Sequence, residues 1–222
     1  MKVVVSWSGG KDSAYAYLLA KQQGHQVLSL LTLMMNKEKS NFHMIPADVI
    51  DAQANAAGVP LLKKTTSAQT YETDFKTILT DFKNKGAEGI VTGDICEVAG
   101  HEAGWLDRIC KEIGLTPIKP LWMINTNQLY LNYLTTGLKA TVVRTNKNLS
   151  VDWLGRILDH QFYDDIQKLL DVDPCGEGGE YHTIITDGPD FKQKIELVAT
   201  EKKRLDNGFG YLEIKNWKVT PK

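Results

Sequence analysis

Cysteine is scarce in this chain of 222 residues. Cys96, Cys110 and Cys175 are odd in number, far apart, and form no C-x-x-C pair. That argues against a disulfide framework and against a zinc knuckle. Charge of one sign is missing too: 26 Lys and Arg stand against 27 Asp and Glu, a formal net charge of -1. A polyanion therefore has little general field to follow, and a nucleic-acid partner is not expected. No apolar run is long enough to span a bilayer, so no membrane partner is expected. No secretory leader precedes the first strand, which makes the cytoplasm the expected compartment. Internal repeats, low-complexity tracts and long linkers are absent as well. With 42% hydrophobic and 24% charged residues, the composition is that of a soluble globular protein with a sizeable core. The length allows one large domain or two small ones.

The string Ser8-Gly9-Gly10-Lys11-Asp12-Ser13 follows the apolar run Val3-Val4-Val5. It predicts a buried strand running into a glycine turn and then a helix. Glycines without Cβ let a phosphate approach the backbone closely. The helix N-terminus turns its N–H groups and positive dipole end toward that anion. Ser8 and Ser13 add hydroxyls, and Lys11 adds a charge. A plain strand-to-helix turn capped by Asp12 or Ser13 explains the glycines, but requires neither the lysine nor both serines. The spacing is not that of a Walker loop.

The first half alternates strand and helix patterns. Strands are predicted at 3–6, 26–34, 61–64 and 89–92, and helices at 13–23, 47–57, 71–85 and 104–113. Repeated β-α units imply an α/β fold, with a parallel sheet and helices on both faces. Its ligands bind at the carboxyl ends of the strands. The second half changes character, with helices predicted at 126–136, 152–158 and 162–170 and strands at 140–145, 181–186, 194–199 and 211–217. This reads as a domain over 1–123 followed by a smaller α+β domain over 124–222.

Three further strings carry chemistry. Val91-Thr92-Gly93-Asp94-Ile95 ends a strand on the ligand side. Gly93 can admit a nucleotide, and Asp94 can hold Mg²⁺ or accept a hydrogen bond. An ordinary turn also uses Gly-Asp. Asp173 to Thr183 packs glycines, Cys175, Glu177, Glu180 and His182 into one loop entering a strand. Its carboxylates and histidine can orient an amine, bind a metal or move a proton. Asn41-Phe42-His43-Met44 places His43 in a loop after a strand, ahead of a helix carrying Gln53. Both are either ligand contacts or solvated surface. Cys96 and Cys175 are read as packing thiols rather than nucleophiles, and Cys110 as helix packing. Trp122 is read as domain packing.

The loop at Ser8 to Ser13 resembles the signature of the PP-loop ATP pyrophosphatases, which cleave ATP between the α- and β-phosphates. Taken with Ser6-Trp7, Phe42-His43, Gln53-Ala54, Gly93-Asp94-Ile95, Pro120-Leu121-Trp122, Leu154-Gly155-Arg156, Gly176 to Thr183 and Asp187-Gly188-Pro189, it resembles the diphthine–ammonia ligases nearly end to end. The fold so implied is a Rossmann-like, HUP-type sheet. The resemblance implies amidation of a carboxylate on a modified histidine of elongation factor 2. ATP and Mg²⁺ would serve it, through an acyl-adenylate. Free ammonium would be the nitrogen donor, since no glutaminase domain is evident. A homodimer is compatible with it.

The implied ATP-binding residues are Ser6, Ser8, Gly9, Gly10, Lys11, Asp12, Ser13, Gly93 and Asp94, with Asp12 and Asp94 toward Mg²⁺. Lys11, Asp12, Glu177, Glu180 and His182 are the implied catalytic residues. His43, Gln53, Arg108, Gly178, Gly179 and Tyr181 are the implied substrate contacts. Two departures stand out. Residues 96–105 lack the tyrosine or arginine segment of relatives, and Met123 replaces a usual glycine. A PP-loop enzyme acting on tRNA or on another carboxylate, and a non-catalytic nucleotide sensor, are the alternative readings.

Overall fold

The computed structural model describes residues 1–34, 36, 38–40, 43–97 and 102–222. Two compact units emerge, each discontinuous in sequence. The first comprises Met1–Ser8, Asp12–Asn41 and Val59–Met123; the second comprises Gly9–Lys11, Phe42–Gly58 and Ile124–Lys222.

The first unit is a parallel sheet. Its strands are β1 (Lys2–Ser6), β2 (Gln26–Met34), β3 (Leu61–Thr65), β4 (Gly89–Val91) and β5 (Thr116–Ile118). They lie in the order β3-β2-β1-β4-β5, all parallel. From β1 the chain adds β2 and β3 on one side and then β4 and β5 on the other. The switch point, and with it the ligand side, therefore falls where β1 and β4 end. Helices α1 (Lys11–Gln22), α3 (Tyr71–Asn84) and α4 (Trp105–Ile113) flank this sheet. Phe75, Ile78 and Leu79 of α3 and Leu106, Ile109 and Cys110 of α4 bury one shared core with Val4, Leu31 and Ile90. The i, i+3, i+4 spacing of those apolar residues turns each helix face inward.

Helix α2 (Ala47–Ala57) belongs to the second unit. It ends at Gly58, whose φ of +67° supplies the left-handed cap. The rest of that unit is α5 (Thr126–Leu134), β6 (Lys139–Thr145), α6 (His160–Ile166), β7 (Tyr181–Asp187), β8 (Gln193–Arg204) and β9 (Gly210–Pro221). Its sheet is antiparallel, in the order β7-β6-β9-β8. Phe162 joins Tyr130 of α5 to Tyr181 of β7 through ring contacts at 6.0 and 5.3 Å. Among the described residues, no helix is long and apolar enough to cross a membrane.

Several boundaries differ from the sequence expectation. Helix α1 starts at Lys11, so Asp12 and Ser13 lie inside its first turn and neither is the cap. The helix expected over 152–158 is only a 3-10 turn at Val151–Trp153. Gly155 then turns left-handed at φ +79°, and Ile157 bridges to Thr141. Helix α6 begins earlier and stops sooner than expected, because Asp159 caps it by accepting from the Phe162 N–H at 2.8 Å. Strand β5 is short, with no periodic signal to announce it. Strands β8 and β9 are twelve residues each, longer than expected. Much of their length is solvated on both faces, so no apolar alternation marks it.

Candidate active site

In the first unit, the loop leaving β4 meets the start of α1 directly. Gly93 has no room for a side chain. An added Cβ would lie 2.6 Å from the Asp12 carbonyl carbon and 2.7 Å from the Ser13 nitrogen. Asp94 therefore stands one residue from the first turn that bears Asp12. The Ser8 N–H donates to Ser13 Oγ at 3.3 Å, and the two hydroxyls share a hydrogen bond at 3.1 Å. Thr92 sits beside Gly93. Its Oγ1 is buried without a hydrogen-bond partner among the described residues. Sequence reading passed over Thr92, although its place at a strand end was legible. Asp94 reaches Tyr71 electrostatically: burial, and then the Asp94 charge, raise the Tyr71 hydroxyl above its ordinary value.

Two carboxylates placed as Asp12 and Asp94 are suit Mg²⁺, which keeps several waters and takes one or two carboxylates plus substrate phosphates. The close packing of Gly93 on Asp12 is the observation that fits this ion. Among the described residues, no group of three or more His, Cys, Asp or Glu forms a self-sufficient metal cage.

The second unit holds Gly9, Gly10 and Lys11 from several sides. Gly9 has φ +82°, a conformation that favours glycine. Its carbonyl accepts from the Ile185 N–H at 2.9 Å and from Gln53 Nε2 at 3.0 Å. Gln53 is fully buried and also donates to the Ile185 carbonyl at 2.8 Å. It braces the loop from within and is not a solvated helix residue. The Lys11 N–H donates to Thr183 Oγ1 at 3.0 Å. That amide and the Ser8 amide are thus committed within the protein. Lys11 is buried, with its Nζ 5.4 Å from the centre of the Tyr181 ring.

His43 and His182 pack together, ring centres 4.9 Å apart. A Cβ on Gly10 would come 2.6 Å from His43 Nε2. Burial, then His182, Lys11 and Arg144, hold His43 well below the ordinary imidazole range. Burial, then Arg144 and Lys11, hold His182 down at about 4. Both rings are therefore neutral at pH 7. Asn41 and Phe42, read with His43, lie outside the described residues, as do residues 98–101 of the divergent segment.

One acid prediction follows. The unfolded chain protonates His182 near 6.5, whereas the folded chain resists until about 4. Stability is therefore lost as pH falls across that window, by at most about 3 kcal/mol given the partial exposure. Thermal melts of wild type and His182→Gln between pH 7 and 4 check it: the variant should lose less stability. Equal losses in both proteins would refute it.

The glycine-rich loop is organised by Asp173. Its Oδ1 accepts from the N–H groups of Cys175 at 2.7 Å and Glu177 at 3.3 Å, and its Oδ2 accepts from Thr126 at 2.6 Å. Glu180 is buried and accepts from the Asp173 N–H at 3.2 Å, while its other oxygen has no hydrogen-bond partner among the described residues. A Cβ on Gly178 would meet the Glu180 carboxyl. Gly179 turns left-handed at φ +76°. Glu177 is exposed, and the Tyr181 hydroxyl donates to the Pro174 carbonyl.

Arg108 is engaged elsewhere in the first unit, pairing with Glu72 at 2.9 Å, with Glu112 at 3.0 Å, and with Glu102. Hydrogen bonds from Arg108, then Lys76 and Trp105, hold Glu72 down at about 2. The same α3–α4 seam orders Trp105, whose indole N–H donates to Glu72 at 2.8 Å. Cys175 is buried with its sulfur 3.2 Å from the Thr126 carbonyl, and burial pushes the Cys110 thiol up to about 12. Cys96 is exposed. Met123 has φ +57°, a left-handed conformation that favours glycine.

Comparison with known proteins adds the family. Residues 1–117 match the model described as Diphthamide synthase N-terminal domain. Residues 125–219 match the one described as Diphthamide synthase C-terminal domain. The diphthine–ammonia ligase of Mus musculus is 28% identical over 228 residues, covering 90% of this chain and 84% of that protein. The protein of the same name from Schizosaccharomyces pombe is 28% identical over 246 residues, covering 97% of this chain and 39% of that protein. A tRNA-specific 2-thiouridylase of Francisella tularensis subsp. novicida is 36% identical over 87 residues. That match reaches only 37% of this chain and 24% of that protein.

Proposed function

Because the chain belongs to the diphthamide synthase family, we propose that it is an ATP-dependent ligase that amidates a carboxylate. The acceptor is diphthine on elongation factor 2, the nitrogen donor is ammonium, and the products include AMP and pyrophosphate. The observation that carries this reading is the packing of the β4 loop on the first turn of α1. It sets Asp94 beside the helix turn that bears Asp12 and Ser13, at the ligand side of the parallel sheet.

The chemistry balances as follows. A carboxylate oxygen of the acceptor attacks the α-phosphorus of ATP. The bond from that phosphorus to the bridging oxygen breaks, and pyrophosphate departs. Ammonium loses a proton to become a nucleophile, and its nitrogen attacks the acyl carbon. The C–O bond to AMP breaks, and a second proton leaves the nitrogen.

Lys11 takes charge on the departing pyrophosphate, and Ser6, Ser8 and Ser13 supply hydroxyl groups. Gly9 and Gly10 keep the turn open to phosphate. Asp12 and Asp94 would hold Mg²⁺, which neutralises phosphate charge when bound. Gly93 fixes their spacing. Glu177, Glu180 and His182 shape the acceptor side, with Gly178, Gly179 and Tyr181 maintaining that loop. His43 and Gln53 back the glycine turn. Arg108 serves through the α3–α4 seam. On this reading residues 1–123 carry the nucleotide and residues 124–222 the acceptor, in the cytoplasm.

The test is a product assay with ATP, Mg²⁺, ammonium and diphthine-bearing elongation factor 2. AMP and pyrophosphate should appear only when acceptor and ammonium are both present, with acid converted to amide by mass spectrometry. Turnover with tRNA in place of that acceptor would move the assignment to tRNA modification. ATP binding without turnover on any acceptor would make the chain a nucleotide sensor.

A further inference from the structure

Arg144 was not singled out by its sequence, yet the fold brings it to the same imidazoles as Lys11. It sits near the end of β6, directly opposite His182 on β7 in the antiparallel register. Residues so paired share one face of a sheet. The His182 ring packs at a tilt against His43, and His43 abuts Gly10. The next strand residue, Thr183, holds the Lys11 amide. Lys11 and Arg144 both depress the two histidines electrostatically.

Four groups from distant points in the chain thus converge, two carrying fixed positive charge and two offering neutral imidazole. Two fixed cations set against neutral imidazoles make a positive field that suits an oppositely charged ligand. Such arrangements concentrate at functional sites. Guanidinium adds a planar fork suited to phosphate or carboxylate oxygens. The competing account is packing, since the Arg144 guanidinium lies 5.7 Å from the centre of the Phe209 ring. Packing alone calls for no second cation on the same imidazoles.

We propose that Arg144 is a ligand-binding residue of this site, the second fixed cation beside Lys11, and that it grips an oxyanion of the reactants. This rests on the ATP-dependent ligase reading. The oxyanion is either a phosphate oxygen of ATP or the acceptor carboxylate. The same field repels ammonium, so the nitrogen donor does not bind at the His43–His182 pair in its charged form.

The test compares wild type, Arg144→Gln, Arg144→Lys and Phe209→Leu. Calorimetry with inorganic pyrophosphate reads the phosphate source, and KM for diphthine-bearing elongation factor 2 reads the carboxylate source. Loss of a charge-assisted contact should weaken one of them about tenfold or more in Arg144→Gln. Arg144→Lys should recover part of that loss. Phe209→Leu should change neither reading, although its melting temperature falls. Unchanged pyrophosphate affinity and unchanged acceptor KM in Arg144→Gln would overturn the inference and leave the ligase reading standing. Equal losses in Phe209→Leu would make Arg144 a packing residue, which also overturns it. Wild type that neither binds pyrophosphate nor turns over would remove the ligase reading and this inference together.

Discussion

Asp12→Ala should abolish AMP and pyrophosphate formation in a chain that still folds. Asp12 lies in the first turn of α1, and its side chain is not part of the buried core. Its backbone packs under Gly93. An acidic group in a first turn favours its helix by about 0.3–1 kcal/mol. The reaction demands far more of it. A carboxylate that fixes charge against departing phosphates contributes several kcal/mol to the transition state. Turnover should fall by about 10³-fold or more, while the melting temperature shifts only slightly. Pyrophosphate release and thermal melts, measured on the same preparation, separate the two effects. Retained turnover in Asp12→Ala would sink the assignment of the site.

Gly93→Ala should damage both stability and turnover. The new Cβ would come within 2.6–2.8 Å of three backbone atoms, Asp12 C, Ser13 N and Asp12 O. A flexible side chain could swing aside, but the first turn of a helix has no such freedom. Either the β4 loop or α1 must shift by a substantial fraction of an ångström. Overpacking of this kind costs about 1–3 kcal/mol. A displacement near 1 Å in a catalytic arrangement costs about 10²-fold in rate. Gly104→Ala is the control. Gly104, unlike Gly93, has a positive φ, +70°, and among the described residues nothing lies within 4 Å of its added Cβ. It should lose about 1–2 kcal/mol through strain alone and keep its turnover. If Gly93→Ala matches Gly104→Ala in rate, the packing of Gly93 on Asp12 has no part in the chemistry.

The alternation of strand and helix in the first half was readable because each segment carries its own period. Residues 3–6, 26–34 and 71–85 announce themselves without reference to the rest of the chain. The glycine turn was equally readable, since Gly9 and Gly10 between a strand and a lysine leave few local conformations. The long hairpin of β8 and β9 was only partly visible, because its solvated faces impose no apolar alternation. Residues 152–158 were misread because Gly155 and the bridge at Ile157 override a local helix tendency.

Arg108 and Gln53 mark the limit of local reading. The resemblance implied Arg108 as a substrate contact, and Gln53 read as either a ligand contact or solvated surface. Arg108 closes an ion-pair cluster between α3 and α4, and Gln53 bonds to two carbonyls separated by 176 positions, 185 minus 9. Residue type and spacing by themselves determined the α/β class, the phosphate-suited turn and the glycine-rich loop. Those features depend on backbone freedom within a few residues. Only the tertiary structure decided which cations meet which imidazoles, which amides are already committed, and which cysteines are buried. Charge, burial and hydrogen-bond completion depend on neighbours that folding brings from far along the chain, and no local pattern reports them.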